Sequence, residues 1–338
     1  MLRERVYPNL GAEREDVALG PADGVDFGVV RVGESAVAVA ADPVSVLPAL
    51  GFPRAGRFGL EVVLADVAVS GLDPAHLAVS LTLPPGMSDD QFGAFWDGLA
   101  AGARELGVRV VTGHTARYAG CSYPWVGGAT ATAVGDPDRL VRPDGARPGD
   151  DVVVTRGPAV ETTGLLATLF PDAVPLAGDD LATARARLDD VRCVRDATAA
   201  AAAGPVTAMH DATEGGLAAA LNEVAGSAGV RIDLAREAVP RAPGVDAFCD
   251  AVGVDPWAAT SSGTLVVAVD SSGTDAVLAA LDDRGTPAAR VGRVRAGSGV
   301  YADGERLPRP GRDPSWAAFE ALAAASDRDP TAPPAADP

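Results

Sequence analysis

The feature that most constrains the fold is an alternation of strand-like and helix-like segments that is interrupted once and then resumes. The interruption is "DPDRLVRPDGARPGDD" (136–151), which is polar and rich in the Pro, Gly and Asp residues that favour turns. A chain of 338 residues is long enough for two domains. We therefore expect two α+β domains, at 1–140 and 148–310, and a disordered Pro- and Asp-rich tail at 327–338.

Hydrophobic periodicity gives the coarse order of elements within each half. Before the connector it predicts strands at 35–41, 76–84, 108–113 and 126–135, and helices at 56–71 and 88–106. After the connector it predicts strands at 151–157, 205–209, 261–270 and 287–296, with a long helical region at 180–203 and helices to about 226 and at 274–284. Ser88 is the expected N-cap of its helix. Whether neighbouring strands run parallel or antiparallel stays open at this stage.

The charge of the chain excludes some classes of partner. Its net charge is −18, and all 28 basic residues are arginine because the sequence contains no lysine. Such a composition is typical of a protein from a salt-adapted (halophilic), GC-rich organism, where the charge keeps the protein hydrated. Nucleic-acid binding needs clustered positive charge, and no basic stripe is visible.

No apolar run reaches the roughly 18 residues that span a bilayer. Three widely spaced cysteines are typical of a reducing compartment, so we expect a cytoplasmic protein.

Three aspartates of the first half are candidate cation ligands. Asp66 lies inside the apolar segment "VVLADVAVSG", where a buried carboxylate is costly unless it is paired or binds a cation. Asp42 follows a strand, and Asp26 precedes one in "GPADGVDFGVV". Mg²⁺ prefers oxygen ligands of this kind. The alternatives are that Asp66 faces solvent and that Asp42–Pro43 is an ordinary turn.

Two further motifs follow predicted strands. "TGHT" (112–115) offers backbone amides, an imidazole and a hydroxyl, although it could also be an ordinary tight turn. In "MHDATEGGLA" (209–218), Asp211 is a candidate N-cap with Glu214 as its capping-box partner. Gly215 and Gly216 would then leave the helix N-terminus open to an anion. The alternative is that the glycines allow close packing against another backbone segment.

Taken in order, these motifs resemble those of the AIR synthase (PurM-like) superfamily. The similarity covers about residues 10–305, and within the superfamily it is strongest to archaeal HypE-like hydrogenase maturation factors. The matching segments are an N-terminal Asp, "ADP" (41–43), "ADVAV" (65–69), "TGHT" (112–115), a "GD-strand-G" segment (149–157), "HDATEGG" (210–216) and "SSGTL" (261–265).

The resemblance implies a fold, a cofactor and an activity. A PurM-like N-terminal domain would pair its sheet with that of a second copy to form a dimeric β-barrel, beside an AIR synthase-like C-terminal α+β domain. The protein would use ATP and Mg²⁺ to activate a substrate oxygen through a phosphorylated intermediate. Its partners would be a second copy of itself and either a maturation protein or a small-molecule substrate.

The resemblance also assigns roles to individual residues. Asp26, Asp42 and Asp66 would hold Mg²⁺–ATP. Gly113, His114 and Thr115 would line the nucleotide pocket. The second domain would close the cleft with Asp211, Thr213, Gly215 and Gly216.

The sequence departs from its relatives in two ways that bear on function. No cysteine follows Cys249, so we do not expect thiocarbamate dehydration on a C-terminal cysteine. The chain has no lysine, so arginines would have to perform any function that lysines have in the relatives. Arg117 and Arg156 are the candidates. Two alternative functions stay open: a small-molecule kinase related to thiamine-monophosphate kinase, and a non-catalytic dimeric scaffold.

Overall fold

A computed structural model describes residues 2–332, which form two sheets with helices packed against them. Within those residues the strands are β1 (Val17–Leu19), β2 (Gly28–Val32), β3 (Ser35–Ser45), β4 (Pro74–Leu83), β5 (Arg109–Arg117), β6 (Trp125–Gly135), β7 (Asp151–Thr155), β8 (Val206–Asp211), β9 (Arg231–Leu234), β10 (Leu265–Val269), β11 (Ala288–Arg295), β12 (Gly299–Ala302) and β13 (Glu305–Leu307). The α-helices are α1 (Phe52–Ala68), α2 (Asp89–Glu105), α3 (Val160–Leu169), α4 (Gly178–Ala186), α5 (Val194–Ala203), α6 (Gly216–Ala228), α7 (Val245–Val252), α8 (Thr274–Asp282) and α9 (Pro314–Ala325).

The N-terminal sheet has the order β1-β2-β3-β6-β4-β5. Only the β4–β5 pair is parallel among its described neighbours. Alternate residues of β3, including Ala36, Ala38 and Ala40, are buried on one face. Helix α1 covers that face with apolar residues such as Leu60 and Leu64, and α2 packs on α1. Ser88 is the N-cap of α2, as the sequence predicts, and it forms a reciprocal capping box with Gln91.

Three local predictions for this domain need correction. Strand β3 continues through Asp42 and Pro43 to Ser45, so Asp42 lies within the strand, opposite Ala129, and not in a turn. Helix α1 begins four residues earlier than expected, at Phe52, with Pro53 in its first turn, where a missing N–H is harmless. The "TGHT" motif at 112–115 lies inside β5.

The C-terminal sheet has the order β13-β12-β9-β11-β7-β10-β8 and is antiparallel except for the β9–β12 pair. Its central strands β7 and β10 are buried on both faces. On one face of β10, Leu265, Val267 and Val269 share a core with the N-terminal domain. On the other face, Val266 packs beneath α6. The sheet therefore lies against the N-terminal domain, and the end of β8 is brought close to α1.

The second half of the chain contains one further difference from prediction. The helical region predicted at 180–203 is two helices, α4 and α5, separated by a 3-10 turn at Arg187–Val191. At the predicted tail, Ser326 and the Asp327 amide bond to Asp172, and the Ala49 amide donates to the Pro330 carbonyl. Residues 333–338 of that tail lie outside the described residues.

Candidate active site

Four aspartates from both domains converge where the two domains meet. Asp42 lies in β3, Asp66 in the last turn of α1, and Asp26 just before β2. The C-terminal domain contributes Asp211, the last residue of β8, which is 1% exposed. We call these four residues the carboxylate cluster. The structure thus unites the three N-terminal aspartates that the sequence singled out with Asp211.

Burial raises the pKa of every member of the cluster, and repulsion by neighbouring carboxylates adds to the shift at Asp26, Asp66 and Asp211. Burial, then the charges of Asp211, Asp42 and Asp26, raise the pKa of Asp66 well above its ordinary value. Burial and the neighbouring carboxylates raise the pKa of Asp211 to about 7. Burial is also the largest cause of the raised pKa values of Asp26 and Asp42. Asp66 lies at the C-terminal end of α1, where the helix dipole further disfavours a negative charge.

His210 lies beside the cluster and is almost fully buried. Its Nε2 is 3.3 Å from Oδ1 of Asp26 and 3.5 Å from Oε2 of Glu223, and its Nδ1 is 2.6 Å from the Asp211 carbonyl oxygen. Burial lowers the pKa of His210, but the charges of Asp26, Asp211 and Glu223 raise it by more. The imidazolium form would therefore offset part of the negative charge of the cluster.

The donor set of the cluster fits a hard divalent cation. Ligand atoms of Asp26, His210 and Asp211 lie within 4.8 Å of one another. Oδ2 of Asp26 and both carboxylate oxygens of Asp211 are buried without a hydrogen-bond partner in the described part of the chain. Buried, unpaired carboxylate oxygens are costly, and coordination of Mg²⁺ would satisfy them.

The loop that carries Asp26 docks directly on helix α6. The Ser227 hydroxyl donates to the Gly24 carbonyl at 3.0 Å. Gly24 has φ +71°, and a Cβ there would lie 3.0 Å from Cβ of Glu223. The close approach that glycine allows holds Asp26 against the second domain.

The start of α6 differs from its sequence prediction. Asp211 ends a strand, and the N-cap is Gly215, which lacks a side-chain cap bond, so Asp211 and Glu214 do not form a capping box. A Cβ on Gly216 would lie 2.4 Å from the Ala259 carbonyl oxygen, and the φ angles of Gly215 and Gly216 are +80° and +61°. The close-packing alternative therefore describes Gly216.

A distant carboxylate already binds the amide at this helix start. Oδ2 of the buried Asp313 accepts from the Gly215 amide at 2.7 Å and from the Thr260 hydroxyl at 2.6 Å. The amide of Gly216 donates to the Thr213 carbonyl. In this structure the amides of Gly215 and Gly216 thus have hydrogen-bond partners from within the protein. Thr213, the other predicted residue of this segment, is partly buried.

The "TGHT" residues lie away from the carboxylate cluster within one chain. Hydrogen-bond register places Asp42, Ala129, Val79 and Gly113 in one row across β3, β6, β4 and β5. Three strand spacings, about 14 Å in all, separate the ends of that row. Gly113, His114 and Thr115 are exposed on the edge strand, and Nε2 of His114 is 2.8 Å from the Tyr118 hydroxyl.

Three residues of the site were not predicted from the sequence: His210, Glu223 and Asp313. Glu223 interrupts the apolar helix "LAAALNEVAG" much as Asp66 interrupts α1, so the same argument could have found it. His210 directly precedes Asp211, which was the available signal. Asp313 gives only the signal of a helix N-cap before Pro314.

Family models match most of the chain. The N-terminal domain of AIR synthase related protein matches residues 24–136, and the C-terminal domain matches residues 147–304. Carbamoyl dehydratase HypE of Rhizobium leguminosarum bv. viciae is 32% identical over 284 residues, 78% of this chain and 79% of that protein. The chain belongs to the AIR synthase related family. The resemblance of this HypE-like protein to that family is confirmed.

Solved structures extend the comparison of this AIR synthase related chain. HypE in complex with ATP is 25% identical, covers 93% of each chain and has a TM-score of 0.64. Thiamine-monophosphate kinase from Stenotrophomonas maltophilia is 25% identical, covers 87% of this chain and 93% of its own, and has a TM-score of 0.67. A HypE–HypF complex shares the fold at 20% identity and a TM-score of 0.65, covering 84% of this chain and 92% of its own.

Among residues 2–332, no helix combines the length and apolar character needed to cross a membrane.

Proposed function

We propose that this HypE-like protein is an ATP- and Mg²⁺-dependent enzyme that activates a substrate oxygen by phosphorylation. The observation that carries the proposal is the carboxylate cluster, in which buried carboxylate oxygens without hydrogen-bond partners meet at the boundary of the two domains. Four carboxylates with raised pKa values would be an unstable arrangement if no cation neutralised them. The relative that was solved with ATP supports the choice of nucleotide.

The residues have distinct roles in this proposal. Asp26, Asp42 and Asp66 would hold Mg²⁺, which supplies charge neutralisation on the phosphates. Asp211 would close the site from the second domain. In the transfer step the substrate oxygen bonds to the γ-phosphorus as the bond to the bridging oxygen of ADP breaks. His210, held by Asp26 and the Asp211 carbonyl, would keep these carboxylates oriented.

We further propose that the protein acts as a homodimer in the cytoplasm. Pairing of two N-terminal sheets into a barrel would bury the exposed face of β5, including Val111, which is 57% exposed. The same pairing would place Gly113, His114 and Thr115 in a nucleotide pocket, as the resemblance implies. The HypE–HypF complex supports a maturation protein as a partner.

The acceptor in this proposal is a small molecule or a carrier and not either of the two buried cysteines, Cys193 and Cys249. Cys193 and Cys249 are both 1% exposed. Burial raises the pKa of Cys193 well above its ordinary value and that of Cys249 to about 12. Neither thiol would therefore supply the thiolate that nucleophilic attack requires.

The test is the melting temperature in molar KCl with and without Mg²⁺–ATP. We expect a rise in the wild type, because a ligand that binds only the folded state stabilises it. Asp66→Asn should abolish the rise while the far-ultraviolet circular dichroism stays unchanged. The matched control is Asp97→Asn, an exposed position on α2 that should keep the rise. A wild type that does not respond would favour the non-catalytic scaffold.

Product analysis separates the kinase from the proposed enzyme. The thiamine-monophosphate kinase neighbour supports this second candidate at the same level of identity as HypE with ATP. A kinase leaves the transferred phosphoryl group on its product. The proposed enzyme releases inorganic phosphate in proportion to ADP, which ³¹P NMR of the reaction mixture would detect.

A further inference from the structure

A second charged site lies between the domains, in a cleft of about 230 Å³. Helices α1 and α2 form one wall. The end of β7, the segment around α5 and the residues that follow α8 form the other. We call it the arginine cleft. Five arginines and four acids line it: Arg57, Arg156, Arg192, Arg195, Arg284, Glu61, Glu105, Asp189 and Asp196.

The acids of the cleft are shared between arginines. Asp196 is 1% exposed, and its Oδ1 accepts a hydrogen bond from Nε of Arg284 at 2.7 Å. Nη2 of Arg156 lies 2.6 Å from Oδ2 of Asp196. This contact is an ion pair whose angles are not those of a hydrogen bond. Glu105 is likewise shared by Arg57 at 2.5 Å and Arg195 at 3.8 Å. Arg57 is in turn shared between Glu105 and the buried Glu61, at 2.8 Å from the latter, so five guanidinium groups face four carboxylates in the cleft.

Arg156 is fixed in a conformation that side chains rarely adopt. Its φ angle is +54°, in the left-handed region that is unfavourable for residues other than glycine. The guanidinium donates to the carbonyl oxygens of Gly263 at 3.0 Å and Arg192 at 3.3 Å. Strained backbone that surrounding contacts hold in place is common at ligand sites. The side chain is therefore preorganised at the base of the cleft.

The mouth of the cleft presents guanidinium groups with unused donors. Arg192 and Arg195 are 51% and 48% exposed, and the nearest carboxylate contacts of their guanidinium groups are long, at 3.5 and 3.8 Å. Arg195 uses one further donor, on Nη2, for the Glu105 carbonyl oxygen. Each guanidinium has five N–H donors in a planar fork. They flank the N-terminus of α5, which lacks a side-chain cap bond. These groups thus form a local excess of positive charge on a chain of net charge −18.

We propose that the arginine cleft binds a tetrahedral dianion of the phosphate class, and that the bound ion links the two domains. Guanidinium forks match phosphate oxygens in pairs, and forks from several directions match a tetrahedral ion better than a planar carboxylate. A volume of 230 Å³ is below the usual range of small-molecule pockets, which favours a single hydrated ion over a nucleotide. Arg57 would supply the contact from the N-terminal domain and Arg192, Arg195 and Arg284 those from the C-terminal domain.

The test is calorimetric titration of inorganic phosphate into the protein at fixed KCl concentration, without Mg²⁺ or nucleotide. The double variant Arg192→Gln/Arg195→Gln removes the two mouth arginines, which are half exposed and so replaceable without loss of the fold. Arg31→Gln/Arg139→Gln is the matched control, because both arginines are exposed, lie outside the cleft and give the same change of net charge. Asp66→Asn reports any phosphate bound at the carboxylate cluster.

The expected result is saturable binding to the wild type, to the control and to Asp66→Asn. In the mouth variant we expect affinity to fall by about tenfold or more, which corresponds to the loss of one strong contact. Absence of binding to the wild type, or equal binding to the mouth variant, would overturn the proposal. Tighter binding to Asp66→Asn than to the wild type would place the ion at the carboxylate cluster, because an anion there gains from the loss of a negative charge, and would also overturn it. None of these outcomes depends on the response to Mg²⁺–ATP.

Discussion

The carboxylate cluster and the arginine cleft both bury acids between the same two domains, yet their electrostatics are opposite. In the cleft, Arg57 lowers the pKa of Glu105, and Asp196 lies between two guanidinium groups. In the cluster, burial and mutual repulsion raise the pKa of Asp66 and Asp211. Removing one partner of a buried ion pair is costly, whereas buried acids without a basic partner are typical of functional sites. The same residue type therefore has different significance in the two regions.

The largest effect should come from removing the shared acid of the arginine cleft. Asp196→Asn would leave Arg156 and Arg284 without their buried counter-charge, at a cost of about 3 kcal/mol. Such a loss lowers the melting temperature by roughly 6–12 °C. The matched control is Asp189→Asn, whose carboxylate is 61% exposed and should cost little. If both variants melt together, Asp196 does not stabilise the domain boundary as its contacts suggest.

The stability of the metal-free protein should also depend on pH. The pKa of Asp211 is about 7 when folded and near 3.8 when unfolded, so the folded state binds more protons in that interval. Stability should therefore fall as the pH rises from about 4 to 7. The pKa of His210 is also raised in the folded protein, so its contribution to stability likewise falls as the pH rises. Melting curves in a chelator should show this slope, and Asp211→Asn should flatten it. A melting temperature that rises over the interval would contradict the electrostatics of the cluster.

A smaller effect of opposite sign should follow when the cluster is relieved of one charge. Without Mg²⁺ or nucleotide, Asp66→Asn removes repulsion among buried carboxylates, and the amide can still hydrogen-bond to Asp42. We expect stabilisation of about 1 kcal/mol, or a rise of roughly 2–4 °C in melting temperature. Asp97→Asn on the exposed face of α2 should leave it unchanged. Destabilisation by Asp66→Asn would show that repulsion between the carboxylates does not lower the stability of the folded protein.

The smallest effect should come from the exposed rim of the arginine cleft. Glu105 is 47% exposed, and surface ion pairs contribute about 0–1 kcal/mol. Glu105→Gln should therefore change stability by less than about 1 kcal/mol, and the change should shrink as KCl is raised. Chemical denaturation at two salt concentrations measures both. A large loss that is independent of salt would mean that Glu105 acts as a buried partner.

Sequence reasoning identified the family and most of the cluster because these depend on local signals. An acidic residue inside an apolar helix identified Asp66, and an ordered series of short motifs identified the superfamily. The sequence did not reveal that "TGHT" is part of a strand. Gly113 is needed there because a Cβ would lie 2.2 Å from the Val79 carbonyl oxygen on the neighbouring strand. That requirement arises from a tertiary contact and leaves no periodic pattern.

Contacts between distant segments account for the remaining differences. Gly215 and Asp313 are separated by 98 positions, so nothing near the double glycine indicates that its amide has a partner. The arginine cleft likewise gathers residues from 57 to 286. Single arginines spaced along an acidic chain look like solvated surface charge until the fold brings them together.

The bond between Asp313 and the start of α6 bears on where this protein can be cut. The C-terminal family model ends at residue 304, nine positions before Asp313. A fragment trimmed at that limit would expose the Gly215 amide and the Thr260 hydroxyl, and Ser315, which accepts from the Thr260 amide, would be lost as well. The C-terminal domain therefore extends at least to the first turn of α9. Asp313, which follows the end of the family model, is part of its interior.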